Sequence, residues 1–141
     1  MAVVTEFYEL RVYSLAFEVA MRIFDLTKTW PKEERYSLID QIRRSSRSVC
    51  ANIAEAWRKR LYVGSFISKL SDANAETAET MVWLDFALQC QYISDKQHVE
   101  LMSPYKQITG SLIKMISNPA PWCGPASVRE ESATYNPGQP E

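Results

Sequence analysis

Glycine is scarce in this chain, and that scarcity restricts the possible folds more than any other feature. The 141 residues include 4 glycines, of which only Gly64 and Gly110 precede residue 118. A β-sandwich or β-barrel needs a turn every ~8–12 residues, and its hairpin turns depend on glycine and on Asn-Gly pairs. The sequence therefore argues strongly against an all-β fold.

Apolar residues instead recur at helical spacing in four segments, at residues 8–29, 32–60, 64–91 and 95–117. The first break falls at Trp30-Pro31, because the residue before a proline avoids the α-helical region. Ser94 is a favourable N-cap for the fourth helix. Pro104 lies inside that helix, so we expect it to kink the helix or to split off its first two turns. Four helices with short connections predict an all-α, antiparallel up-down-up-down four-helix bundle.

The spacing also assigns the buried face of the first helix. Its apolar residues at i, i+3, i+4 and i+7 predict this core face: Tyr13, Ala16, Phe17, Ala20, Ile23, Phe24 and Thr27. Residues 118–141 contain five of the seven prolines and no periodic apolar residues. We therefore expect one bundle domain over residues 1–117 and a flexible tail over residues 118–141.

Several classes of protein are disfavoured by what the chain lacks. No run of ~18 apolar residues predicts a transmembrane helix, and the polar start does not match a signal peptide, so we expect a cytoplasmic protein without a membrane partner. Three cysteines without a CxxC motif and a single histidine, His98, offer too few ligands for a metal site. Without a second histidine or a glycine-rich phosphate loop, we expect neither catalysis nor a cofactor.

A cluster of cations is the strongest functional signal in the sequence. Between residues 43 and 60 the only acid is Glu55, and the segment holds these six cations: Arg43, Arg44, Arg47, Arg58, Lys59 and Arg60. Arginine suits bidentate contacts with phosphate, so this face is a candidate nucleic-acid-binding surface. The alternative is a solvated face that is paired with nearby carboxylates. The net charge of −1 does not decide between the two.

The third helix carries an acidic stripe at i, i+4 and i+7, made of Asp72, Glu76 and Glu79. Carboxylates on one face can bind a hard metal ion. We favour a stripe that faces solvent or a partner. Its charge is opposite to that of the basic cluster. The two faces could meet within one subunit or between subunits.

Several motifs of the chain resemble a family of bacterial four-helix-bundle proteins encoded in intervening sequences of 23S rRNA genes. The family's opening pattern matches Phe7, Leu10, Val12, Tyr13 and Ala16, and its Trp-Pro-Lys-Glu-Glu turn matches residues 30–34. Its hallmark of Gln-Ile-Arg-Arg, Asn-Ile-Ala-Glu and a basic run matches residues 41–44, 52–55 and 58–60. The resemblance covers about residues 7–117. The same family includes the accessory variability determinant of diversity-generating retroelements.

The resemblance implies a homo-oligomer, typically a ring of five subunits with a basic surface. In the retroelement branch, it implies binding of RNA or DNA and of a reverse transcriptase, without catalysis. Two hypotheses therefore stay open. In the first, the six cations bind phosphates of RNA or DNA. In the second, the chain is a structural or protein-interaction module, and its arginines pair with Asp72, Glu76 and Glu79 of a neighbouring subunit.

Overall fold

The computed structural model of this protein describes residues 3–124, which are helical with short connections. The helices are α1 (Arg11–Thr27), α2 (Leu38–Arg58), α3 (Val63–Gln89), α4 (Asp95–Ser117) and α5 (Ala120–Cys123). Short 3-10 turns at Phe7–Glu9 and Lys32–Glu34 precede α1 and α2. Within residues 3–124, no helix is long and apolar enough to cross a membrane.

The four long helices form the four-helix bundle that the periodicity predicts. α1 packs on α2 and α4, and α3 packs on the same two helices, so α3 lies diagonally across the bundle from α1. The interior is filled by aliphatic and aromatic side chains from all four helices. Its fully buried members include Ile23, Ile42, Ile53, Phe66, Leu70, Leu84, Leu101, Tyr105, Ile108 and Leu112.

The start of α2 differs from the prediction, which placed it at residue 32. The chain makes a 3-10 turn there, and Ser37, at φ −126° and ψ −100°, separates that turn from the helix. The Glu34 carboxylate accepts hydrogen bonds from Ser37 Oγ (2.6 Å) and from the Leu38 backbone N–H (3.3 Å). It therefore satisfies one of the free N–H groups that begin α2.

The predicted core face of α1 is partly wrong. Its buried residues are Val12, Ala16, Val19, Ala20, Ile23 and Thr27, whereas the side chain of Phe17 is 50% exposed. The helix is rotated from the predicted orientation, so the two valines point inward. Phe17 and Phe24 lie instead at the edge where α1 meets α2.

The fourth helix has the predicted bounds, and its predicted cap is confirmed. The Ser94 side chain accepts a hydrogen bond from the Gln97 backbone N–H at 3.1 Å. The helix continues through Pro104 and is not split there. Proline removes the N–H that would donate to the carbonyl of Glu100. Because Glu100 is exposed, water can take the place of that donor.

The start of the predicted tail is helical. Ala120–Cys123 form α5, and both Trp122 and Cys123 pack against the bundle core. The rest of the predicted tail, residues 125–141, lies outside the described residues. Residues 118–124 thus extend the packed part of the chain beyond the predicted boundary at residue 117.

Candidate nucleic-acid interface

Four arginines surround a shallow depression of about 590 Å³ on the outer side of α2. Arg43, Arg44 and Arg47 come from α2, and Arg35 comes from the connection before it. We call these four residues the α2 arginine face. The depression is also lined by Ile39, Asp40, Ser48 and Ala51. Helical periodicity brings the three α2 arginines together, as the sequence predicts.

Contacts with α1 hold Arg43 and Arg47 in place. Arg43 donates from Nε to Thr27 Oγ1 at 2.8 Å, and its guanidinium carbon lies 4.6 Å from the centre of the Phe24 ring. The guanidinium of Arg47 lies 5.7 Å from the same ring centre. An aromatic face attracts a cation by the negative charge of its π-system. Phe24 therefore positions two arginines side by side at the edge of the depression.

Arg44 is already paired with α3 of the same subunit. Its guanidinium contacts Glu76 at 3.3 Å and Glu79 at 2.5 Å. Hydrogen bonds with Glu76 and Glu79 raise the pKa of Arg44. Burial opposes ionisation of Glu76, but hydrogen bonds with Glu79 and Arg44 outweigh it and lower the pKa of Glu76. The hydrogen bond with Glu76 raises the pKa of Glu79.

The three residues of the acidic stripe therefore have different partners. Glu76 and Glu79 pair with Arg44, while Asp72 lies 4.0 Å from Lys69. The side chain of Asp72 is 58% exposed. The basic and acidic faces therefore contact each other within one subunit, through Arg44. This is one of the two arrangements that the sequence left open. Within residues 3–124, no group of three or more His, Cys, Asp or Glu side chains is arranged to hold a metal ion.

The last three predicted cations are distant from the α2 arginine face. Arg58 follows Arg47 by about 16 Å along the helix, and its guanidinium lies 3.4 Å from Glu6. Arg60 donates to the Trp57 carbonyl at 2.9 Å and lies 3.9 Å from the centre of the Trp57 ring. Lys59 is exposed at the C-cap of α2. The six cations of the sequence therefore form two separate groups.

Arg35 belongs to the site but was missed by the sequence reasoning. It lies in the connection between Pro31 and α2, where helical spacing gives no information about direction. Within residues 3–124, no ion pair involves Arg35, Arg43 or Arg47. Three guanidinium groups around one depression can bind an anion such as phosphate through paired N–H donors.

The comparisons with known proteins support the fold and the family. The chain is similar over 76% of its length to a crystal structure of a protein with unknown function from the S23 ribosomal protein family of Bacteroides thetaiotaomicron. The two are 32% identical with a TM-score of 0.70, and the match covers 96% of the other chain. Among curated proteins, none matches.

A family model for the 23S rRNA-intervening sequence protein matches residues 8–114. The matched segment runs from just before α1 almost to the end of α4. It includes the α2 arginine face and the helices α1 and α3, whose side chains contact Arg43 and Arg44. The resemblance noted from the sequence motifs is thereby confirmed: the chain belongs to the 23S rRNA-intervening sequence protein family.

Proposed function

We propose that this chain is a non-catalytic, homo-oligomeric bundle protein whose α2 arginine face binds the phosphates of RNA or DNA as an accessory factor. One observation carries the proposal: Arg35, Arg43 and Arg47 surround one depression, and no carboxylate of residues 3–124 pairs with them. A solvated structural face would be expected to pair its arginines locally, as Arg44 does. A phosphate-binding face needs them unpaired.

The positioning of these arginines adds support. Ordering a flexible arginine on binding costs free energy, and Arg43 is already ordered by Thr27 and Phe24. One subunit offers a small surface, so an oligomer would increase binding by presenting several copies. The resemblance implies five. If the chain belongs to a retroelement, a reverse transcriptase is the expected protein partner.

A second candidate function, a structural or protein-interaction module, has one observation in its favour. Arg44 is neutralised by Glu76 and Glu79, which reduces the charge available to a phosphate backbone. The net charge of −1 also gives no general attraction to nucleic acid. In this alternative the arginines serve assembly or protein contact only.

The test uses light scattering and probe binding on the intact chain. The probes are a single-stranded RNA of about 20 nucleotides and a duplex DNA of about 20 base pairs, which are longer than the α2 arginine face. Each probe is measured at low and at moderate salt. The variant Arg35→Gln/Arg47→Gln removes two unpaired arginines and spares Arg43, whose bond to Thr27 supports the fold. The control Arg11→Gln/Arg22→Gln removes the same charge from exposed α1 positions outside the depression.

We expect wild type and control to bind a probe and to release it as salt rises. For a duplex, the double variant should lose about 0.9 in the slope of log K against log salt for each phosphate contact removed. Equal binding by the two double variants would rule out the α2 arginine face as the site. A stable oligomer that binds neither probe would favour the interaction module.

A further inference from the structure

A groove between α1 and α2 exposes apolar side chains beside the α2 arginine face. It has a volume of about 450 Å³, and Arg47 and Ala51 line both this groove and the arginine depression. Phe17 and Met21 are 50% and 46% exposed in it. We call it the α1–α2 groove; its lining is Phe7, Tyr13, Phe17, Ala20, Met21, Phe24, Arg47, Cys50, Ala51 and Ala54.

A second apolar surface runs along the outer side of α3. Helical spacing aligns Ala75, Ala78, Val82 and Phe86 on one line, and all four are exposed. Val82 is 47% exposed and Phe86 is 54% exposed. We call these four residues the α3 stripe. Because α3 is diagonal to α1 in the bundle, the stripe and the α1–α2 groove lie on different sides of the molecule.

The charges that border the two surfaces differ in sign, and several of them also have local partners. Lys28 and Arg58 pair with Asp25 and Glu6, whereas Arg47 pairs with no carboxylate among residues 3–124. Asp72 lies 4.0 Å from Lys69, and Asp85 lies 2.8 Å from His98. Lys28 and Arg47 lie over Phe24 at one end of the groove, and Arg58 lies 5.9 Å from the ring centre of Phe7 at the other. The α3 stripe is flanked by Asp72 and Asp85, whose side chains are 58% and 63% exposed. Complementary charge directs and orients association between surfaces.

The dimensions of the two surfaces also correspond. From Ala75 to Phe86 the stripe is about 16 Å long, and the α1 wall of the groove from Tyr13 to Phe24 has the same length. Ala51 and Ala54 have short side chains, so a neighbouring helix can approach the α2 side of the groove closely. The larger side chains Val82 and Phe86 would then fill the groove.

We infer that the α3 stripe of one copy of this chain packs into the α1–α2 groove of the next copy. The inference rests on the homo-oligomer of the proposed function and assigns its interface. Each copy uses two different surfaces, so the contact is heterologous. Repetition of a heterologous contact closes a ring when the rotation permits and otherwise extends a filament.

The test places a charge of the wrong sign on each surface and measures mass by light scattering and sedimentation. Met21→Glu puts a carboxylate in the groove opposite the acidic flanks of the stripe. Val82→Lys puts a cation on the stripe opposite the basic rim of the groove. Val99→Glu and Ile113→Lys are matched controls on α4, where the original side chains are 65% and 50% exposed.

We expect both test variants to weaken assembly by about 100-fold or more, since each puts a charged side chain where an apolar one packs and opposite a flank of the same charge on the other copy. The two controls should assemble like wild type. An equimolar mixture of Met21→Glu and Val82→Lys should associate again, because the first retains a normal stripe and the second a normal groove. An interface of groove on groove, or stripe on stripe, would be disrupted by only one of the variants.

Circular dichroism checks that each variant folds, and Ala51→Glu and Ala78→Lys replace any that does not. A monomeric wild type would overturn both this inference and the oligomer of the proposed function. An oligomeric wild type whose test variants keep their mass would overturn this inference alone. A Met21→Glu variant that keeps its mass but loses RNA binding would also overturn this inference, because the groove would then be a nucleic-acid site.

Discussion

The two edges of α2 are built differently. At the α2–α3 edge, polar groups meet their partners within the subunit: Arg44 pairs with Glu76 and Glu79, and Thr80 Oγ1 contacts Ser45 Oγ at 2.8 Å. At the α1–α2 edge, aromatic rings lie beside Arg43 and Arg47, and neither arginine pairs with a carboxylate among residues 3–124. The polar groups of the first edge are satisfied within the subunit, whereas the second edge exposes apolar area and positive charge.

The largest expected difference between the edges concerns apolar packing. Leu84→Ala on α3, where the side chain is fully buried, should lower the free energy of unfolding by about 2–5 kcal/mol. Phe17→Ala at the open edge should cost about 1 kcal/mol, because half of that side chain is exposed. Urea denaturation of wild type and both variants at one protein concentration, with the mass of each checked by light scattering, measures both. Equal costs would contradict the comparison.

The buried hydroxyl pair gives the next effect. Thr80→Val keeps the shape but leaves Ser45 Oγ without its 2.8 Å contact, so we expect a loss of about 1–2 kcal/mol. Thr29→Val is the control, since its hydroxyl is exposed and bonds only to the Leu26 carbonyl. In a double-mutant cycle, Ser45→Ala should cost less when Thr80 is already valine. Strict additivity would show that the pair does not interact.

The hydrogen bonds of Glu34 also tie α2 to the chain after α3, and they depend on pH. Hydrogen bonds from Ser37 and Tyr92 lower the pKa of Glu34, and the hydrogen bond to Glu34 raises the pKa of Tyr92 to about 12. The stabilisation is therefore present above the pKa of an unfolded glutamate and is lost as pH falls through the lowered folded value. Above neutrality it persists until Tyr92 ionises.

The variant Glu34→Gln should lower the free energy of unfolding by about 1 kcal/mol at pH 7, mainly by weakening the start of α2. The difference from wild type should shrink toward zero at acidic pH. Glu33→Gln, at the exposed neighbouring position, serves as the control. A difference that stays constant down to pH 2 would contradict the role of the Glu34 carboxylate.

The smallest effect separates two arginines of the same face. Arg44→Gln should cost about 0.5 kcal/mol because it breaks a partly exposed ion-pair network, and the cost should fall in 1 M salt (a concentration that screens such pairs). Arg47→Gln should change stability by less than about 0.5 kcal/mol in either direction. Thermal unfolding at two salt concentrations measures both. A larger cost for Arg47 would place it among the structural residues.

The sequence predicts the four helices well because each one combines a strong period with clear breaks. The start of α4 is the best case, since Ser94 and the periodic residues after it are local signals. The rotation of α1 was mispredicted because Phe17 and Val19 are both apolar, and only packing within the bundle selects the valine. Ser37 delays α2 through a backbone conformation that composition does not reveal.

The candidate site was only partly predictable, for reasons of distance and direction. Six cations close in sequence look like one cluster, but a helix separates Arg47 from Arg58 by about 16 Å. Arg43 and Arg44 are adjacent in sequence and point to different neighbours, so their partners depend on where α1 and α3 lie. Arg35 reaches the face from the connection before α2, and helical periodicity does not predict the direction of that connection.

Arg47 and Ala51 stand on the wall shared by the α1–α2 groove and the arginine depression. A phosphate held at Arg47 and a subunit packed beside it would use the same guanidinium, so the two equilibria are thermodynamically linked. Such coupling is reciprocal: the factor by which nucleic acid changes the affinity between subunits equals the factor by which assembly changes the affinity for nucleic acid. The shared wall would thus let the amount of nucleic acid set the amount of oligomer.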